Sequence, residues 1–227
     1  VEREPIRSVR RRTAEHMTLA WAVIPHVTHF DQADITDLEG ARRWQEKLVP
    51  GLTLTVFLLK AAARTLQSHP RFNASVDHER GELVLKRYYH LGVAVDTARG
   101  LIVPVIRDVD KKRIPELALE LAGLVERTRA GKATLEDLRG GTFTVTNVGR
   151  LGGTGATPII NYPEVAILGV ARSRETPVVR NGAIVPRLIL ALALSFDHRV
   201  LDGAEAARFM TDLVRLLEDP EHLLLQA

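Results

Sequence analysis

The chain has 227 residues, of which 45% are hydrophobic and 26% charged; its formal net charge is +3 and it has no cysteine. That is enough apolar material for one large core and too little for two ordinary domains with linkers, so residues 1–227 read as a single domain. No disulfide, thiolate nucleophile or thiolate metal ligand is possible, no apolar run approaches the length of a membrane span, and the start at Val1 carries no signal-peptide pattern.

Part of the positive charge lies in VRRRTAEHM, from Val9. No nucleic-acid motif follows it, so a solvated helix face is the simpler reading and no nucleic-acid partner is expected. Such cations also suit a phosphate-bearing substrate. Residues 7–22 are predicted to be a helix that stops before Pro25. IPHVTHFDQADI predicts a strand from about Val27 to Ala33, and residues 36–48 a helix broken at Pro50-Gly51. TLTVFLLKAAARTLQSH predicts a long helix ending at His69-Pro70. GELVLKRYYHLGVAVDT predicts a hairpin or a pair of strands. In LIVPVIRD, Pro104 places the strand at an edge or a bulge.

RIPELALELAGLVERTRAGK is the clearest helix. Pro115 stands at its start, and Ile114, Leu117, Ala118, Leu121, Leu124 and Val125 form its apolar stripe. GTFTVTNVG alternates as a strand. VGRLGGTGATP lacks the residues of a phosphate-binding loop and reads as a tight-turn loop that lets another backbone approach. EVAILGVAR and RLILALALSF are continuous apolar runs, as strands buried on both faces should be. GAEAARFMTDLVRLLED closes the chain as a helix. Strands and helices mix without strict alternation, which predicts an α/β, two-layer sandwich with a mixed sheet.

The chemistry concentrates in SFDHRVLDG, residues 195–203. Of the eight histidines, none forms a metal-binding pattern; His26 and His29, three apart on a strand, face opposite ways. No metal is therefore expected. His198 follows a buried strand directly, a position that holds a side chain rigidly with its tip in a cleft. An imidazole there can accept a proton near neutral pH. Asp202 is placed to orient the ring or anchor the turn, while Asp197 and Arg199 can lock the loop by pairing. A hydrolase built on Ser195 fits poorly, because that serine lies inside the strand and no nucleophile elbow exists. A thiol or hydroxyl arriving with the substrate is the better nucleophile. Its transfer needs an oxyanion donor, and Thr142, Thr144 and Thr146 share one face of their strand, with Thr146 at its end. The residues alone leave structural readings of the Asp-His-Arg run and of Thr146 open.

The ordered set GGTFTVTNVG, TPIINYPEVAILGV and LSFDHRVLDGAEAARFM, with IPHVTHFDQADITDLE and LGVAVDTARGLIVPVIRDVDKK before it, resembles the catalytic domain of the dihydrolipoyl acyltransferases, the core subunits of the 2-oxo acid dehydrogenase complexes. The resemblance runs from about Ile6 to the C-terminus. It implies a chloramphenicol-acetyltransferase-like fold, and His198 as the base that deprotonates the coenzyme A thiol for attack on an S-acyl-dihydrolipoyl arm. It further implies Thr146 as oxyanion donor and Asp202 as an orienting acid, with Arg11 as the partner of Asp202.

By the same resemblance the assembly is a homotrimer that builds a 24-mer or 60-mer, with His198 and Thr146 meeting from different chains. Coenzyme A is a substrate, no cofactor is bound in this domain, and the lipoyl group is carried on a separate domain. The decarboxylase and dihydrolipoyl dehydrogenase components join through the lipoyl and peripheral-subunit-binding domains, which this sequence does not show. The strongest likeness is to the acetyltransferases of bacterial pyruvate dehydrogenase complexes, implying a cytoplasmic bacterial protein. Branched-chain acyl and succinyl transfer are the alternatives, the latter because Thr146 is common in succinyltransferases. Leu223, Leu224 and Leu225 are expected to plug into a neighbouring subunit.

Overall fold

The computed structural model describes residues 1–149 and 152–225, with side chains as far as Leu223. In chain order the elements are α1 (Ser8–Val23), β1 (His26–Asp34), α2 (Thr36–Gln45), α3 (Leu54–Ser68), β2 (Ala74–Asp77), β3 (Glu82–Leu85), β4 (Leu91–Val93), β5 (Val95–Thr97), β6 (Gly100–Ile102), β7 (Val105–Ile106), α4 (Ile114–Arg129), β8 (Phe143–Asn147), β9 (Ala166–Val170), β10 (Arg174–Arg180), β11 (Ala183–Asp197), α5 (Gly203–Glu218) and α6 (Pro220–Leu225).

The main sheet has seven strands in the order β1-β11-β9-β8-β4-β7, with β10 paired to the outer half of β11. It is mixed as expected: β4–β8 and β8–β9 run parallel and the other pairings antiparallel. Alternation along each strand sorts the side chains between two faces. Leu190, Leu192, Leu194 and Phe196 of β11, Ala166, Leu168 and Val170 of β9, and Phe143 and Val145 of β8 enter one large core with the apolar sides of α3, α4 and α5. Ile167, on the opposite face of β9, packs with Ile24 and Ile160 in a small second core under the end of α1. Both faces of the central strands are covered, which is why their sequence is apolar without alternation.

The α4 stripe is buried as predicted, Val125 only partly so. Pro104 lies in the break between β6 and β7, and β7 is the sheet edge, where a missing donor costs nothing. Gly149 bears out the close-approach reading of its loop: a Cβ there would lie 2.8 Å from the Ala171 carbonyl.

Of the two readings of the run 81–97, a hairpin or a pair of strands, the structure takes the second, with the strands in different sheets. β3 pairs back onto β2, and β4 leaves for the main sheet. The helix after β1 ends at Gln45, before the predicted boundary. β10 was not predicted, although Asn181-Gly182, both with positive φ, form the tight turn of a two-residue hairpin between β10 and β11. Leu223 does not reach outward, because it is buried in the core of its own chain. The side chains of residues 224 and 225 lie outside the described residues.

Candidate active site

His198 stands in the turn between β11 and α5, and the backbone around it is tied on three sides. Its N–H donates to the Pro25 carbonyl at 3.1 Å, while the Asp197 N–H donates to the Val165 carbonyl at 2.9 Å. Arg71 reaches across from the segment after α3 to the Val200 carbonyl and pairs with Glu205 at 2.9 Å. The locking pair expected from sequence is present: Arg199 Nη2 lies 2.6 Å from Asp197 Oδ2, and the Asp197 side chain is 1% exposed. That bond holds the guanidinium above its ordinary pKa against the opposing effect of burial. The His198 ring leans against Phe196 with centroids 5.8 Å apart, and is otherwise exposed rather than enclosed by a cleft of its own chain.

Asp202 does not touch the ring. It is the N-cap of α5: its carboxylate accepts the Glu205 N–H at 2.8 Å, and the Glu205 side chain accepts the Asp202 N–H at 3.0 Å. This reciprocal capping satisfies two otherwise orphaned donors at the start of the helix that follows His198. Asp202 therefore anchors the turn, the structural half of the expectation. Arg11 is not its partner within the chain; it bonds Glu15, one turn along α1, at 2.9 Å. Ser195 is fully buried, with its hydroxyl 2.8 Å from that of Thr28, which removes it as a nucleophile. His26, stacked on Trp21, has both nitrogens engaged: Nδ1 donates to the Ile24 carbonyl at 2.8 Å and Nε2 accepts the Ile160 N–H at 3.0 Å.

Thr144 of β8 and Thr142, just before it, are buried, and the Thr142 hydroxyl is tied to the His90 backbone. Thr146, at the strand end, is half-buried and its hydroxyl has no hydrogen-bond partner among the described residues. The next residue is fixed on both sides: Asn147 Oδ1 accepts the Gly149 N–H at 3.0 Å and its Nδ2 donates to Thr55 at 3.3 Å.

Strand register separates Thr146 from His198. Thr146 lies level with Gly169, and Gly169 with Ala193, five residues short of His198. At about 3.3 Å per residue and about 4.8 Å per strand the two Cα atoms are roughly 19 Å apart. No rotamers bring the two side chains of one chain to a common reacting atom. Among the described residues no group of histidines and carboxylates is arranged to hold a metal.

Comparison with known proteins places this architecture. Residues 1–225 match the family model of the 2-oxoacid dehydrogenases acyltransferase (catalytic domain). The chain belongs to this family. It is 45% identical, over 99% of its length, to the dihydrolipoyllysine-residue acetyltransferase component of the pyruvate dehydrogenase complex of Haemophilus influenzae. It spans about two fifths of the length of the curated relatives it matches.

Two solved structures each superpose with a TM-score of 0.95 at 44% identity, over 99% of this chain and 94% of theirs. One is the cubic core of the pyruvate dehydrogenase multienzyme complex. The other comes from an investigation of the role of a serine, a histidine and an asparagine in the catalytic mechanism of Azotobacter vinelandii dihydrolipoamide acetyltransferase. Chloramphenicol acetyltransferase shares the fold of this acyltransferase domain, with a TM-score of 0.57 at 16% identity over 95% of the chain. The predicted fold class and family are thus both found.

Proposed function

We propose that the domain transfers an acetyl group between a dihydrolipoyl arm and coenzyme A, within a pyruvate dehydrogenase complex whose structural core it forms. The carrying observation is a pattern of spacing. The serine, histidine and asparagine studied in the Azotobacter enzyme follow one another at the same separations as Thr146, His198 and Asp202 here. Thr keeps the hydroxyl of Ser, and Asp and Asn both serve as helix N-caps, so both replacements preserve the chemistry. The acetyl assignment is supported by the names of the relatives at 39–48% identity.

In this reading His198 takes the proton from the coenzyme A thiol. The thiolate sulfur attacks the acyl carbon of S-acetyl-dihydrolipoamide, and the Thr146 hydroxyl donates to the oxyanion that forms. Collapse breaks the bond to the dihydrolipoyl sulfur, which recovers the proton from the imidazolium. An oxyanion donor of this kind contributes roughly 3–4 kcal/mol.

The separation of His198 and Thr146 along the sheet supports a site assembled from two chains, His198 from one and Thr146 from its neighbour. A homotrimer with such sites at its interfaces, repeated in a cubic 24-mer, satisfies this requirement. The lipoyl group arrives on another domain, and the decarboxylase and dihydrolipoyl dehydrogenase components join through regions outside this sequence.

The test is thiol-ester exchange between acetyl-coenzyme A and dihydrolipoamide. The wild type turns over and His198→Ala loses about 10²–10⁴-fold in kcat. A wild-type trimer silent with acetyl, succinyl and branched-chain donors would leave a scaffold role as the function.

A further inference from the structure

One buried carboxyl group lies in the segment that ties to the backbone on either side of the His198 turn, and the transfer chemistry does not use it. Glu164, 2% exposed, sits in the segment 160–165 that crosses the sheet face beneath α1. Its Oε1 accepts from Asn161 Nδ2 at 2.9 Å, and the same amide nitrogen lies 3.5 Å from the Thr144 hydroxyl of β8. Asn161 Oδ1 lies 3.2 Å from His16 Nε2, joining α1 to the cluster.

Two glycines make room for it. A Cβ on Gly141 would lie 3.1 Å from Glu164 Oε1, and one on Gly92 2.8 Å from Thr144 Oγ1. Both ends of the segment then tie to neighbours of the proposed base. The Val165 carbonyl accepts the Asp197 N–H, and the Ile160 N–H holds His26, next to the Pro25 whose carbonyl accepts the His198 N–H. Glu164 also shares a narrow crevice with Tyr162, Asp197 and Arg199, under the turn itself.

We propose that Glu164 is a positioning residue for His198: its carboxyl fixes the 160–165 segment against β8 and α1, and that segment sets the turn on which the imidazole stands. The proposal rests on the role assigned to His198 above. Glu164 Oε2 is buried without a hydrogen-bond partner, an arrangement that penalises the charged form most. Burial pushes the group up to about 7, against the Thr144 and Asn161 side chains and the charge of Lys86, which lower it. The other ionisable groups around it are His16, reached through Asn161, and His78, Asp197 and Arg199 along the crevice. The uncharged carboxyl is the form that fits, and a glutamine of the same shape replaces it.

The experiment compares Glu164→Gln, Glu164→Asp and Glu164→Ala in the assembled protein by thiol-ester exchange kinetics and by amide hydrogen exchange of residues 195–203. Glu164→Gln keeps kcat within about twofold. Glu164→Asp, too short to reach, and Glu164→Ala lower kcat about tenfold or more while the KM for coenzyme A stays within about twofold. In these two variants the Asp197 and His198 amides exchange about tenfold faster, and in Glu164→Gln they do not. Unchanged amide exchange in both truncating variants overturns the proposal, and so does faster exchange with wild-type kcat. A wild type without turnover removes the transfer reading, while the amide exchange still decides whether Glu164 holds the turn.

Discussion

At one end of the seven-stranded sheet His198 stands above the pair of buried Asp197 with Arg199 and above the Glu164 cluster; at the other, Asp34 at the end of β1 meets two arginines. Asp34 is 6% exposed, yet its carboxylate accepts from Arg187 Nε at 2.7 Å, Arg180 Nη2 at 3.1 Å and the Thr36 hydroxyl at 2.7 Å. Burial alone would raise its pKa, but these donors outweigh burial and lower it to about 2. Glu164, more deeply enclosed, has one oxygen with no donor, and there burial wins. Asp34 lies nearer the surface and has more donors aimed at its carboxyl than Glu164, and the two differences together decide which protonation state the fold prefers. The fully satisfied end is an anchor, and the under-satisfied one lies beside the proposed base.

The largest effect tests whether the two proposed catalytic side chains act across chains. His198→Ala and Thr146→Val are each expected to lose at least ~10²-fold in kcat. Co-assembled in equal amounts they recover about a quarter of wild-type activity, because a site joining one chain's His198 to its neighbour's Thr146 can then be intact on both sides. Recovery of nothing in mixed assemblies of normal size would break the two-chain reading.

Next come the two limbs of the stability profile, measured by calorimetry from about pH 2 to 8. Glu164 has a folded pKa raised from 4.5 to about 7. Its contribution is full below about pH 4.5 and is lost as the pH rises through 7, on the order of 3 kcal/mol. Asp34 has a folded pKa lowered from 3.8 to about 2. Its contribution is full above about pH 4 and is lost as the pH falls toward 2, on the order of 2 kcal/mol. Glu164→Gln should flatten the alkaline limb alone and Asp34→Asn the acid limb alone. A wild-type profile that rises from pH 5 to 7 contradicts the assignment at Glu164.

The smallest effect concerns the cap. Asp202→Ala costs about 1 kcal/mol in a denaturant titration, and Asp202→Asn much less. A far larger loss of activity than of stability in Asp202→Ala would give Asp202 a second role through a neighbouring chain.

Much of this was legible in the residues. The stripe of α4, the continuous apolar runs of β9 and β11, and the position of His198 at a strand end are properties of local pattern, and local pattern survives folding because it is what the core selects. The capping of α5 was also readable, since Asp202 and Glu205 stand at capping-box spacing before an apolar run. The turn signal of Asn181-Gly182 pointed to the β10–β11 hairpin. β10 itself escaped because nearly all its residues are exposed and no burial pattern marks them. The resemblance singled out Glu164's segment only as part of a motif; the sequence has no sign that its carboxyl would be sealed against Gly141.

The sequence by itself determined the family, most of the elements and the identity of the proposed base, because each depends on residue types at short spacing. Tertiary structure alone decided which strands pair, that β3 turns back while β4 goes on, and that the Asp202 carboxylate makes no hydrogen bond to the imidazole. It also decided the separation of Thr146 and His198. That separation is set by the stacking of β8, β9 and β11 in register, a sum of backbone hydrogen bonds between segments far apart in the chain, and no local pattern encodes it.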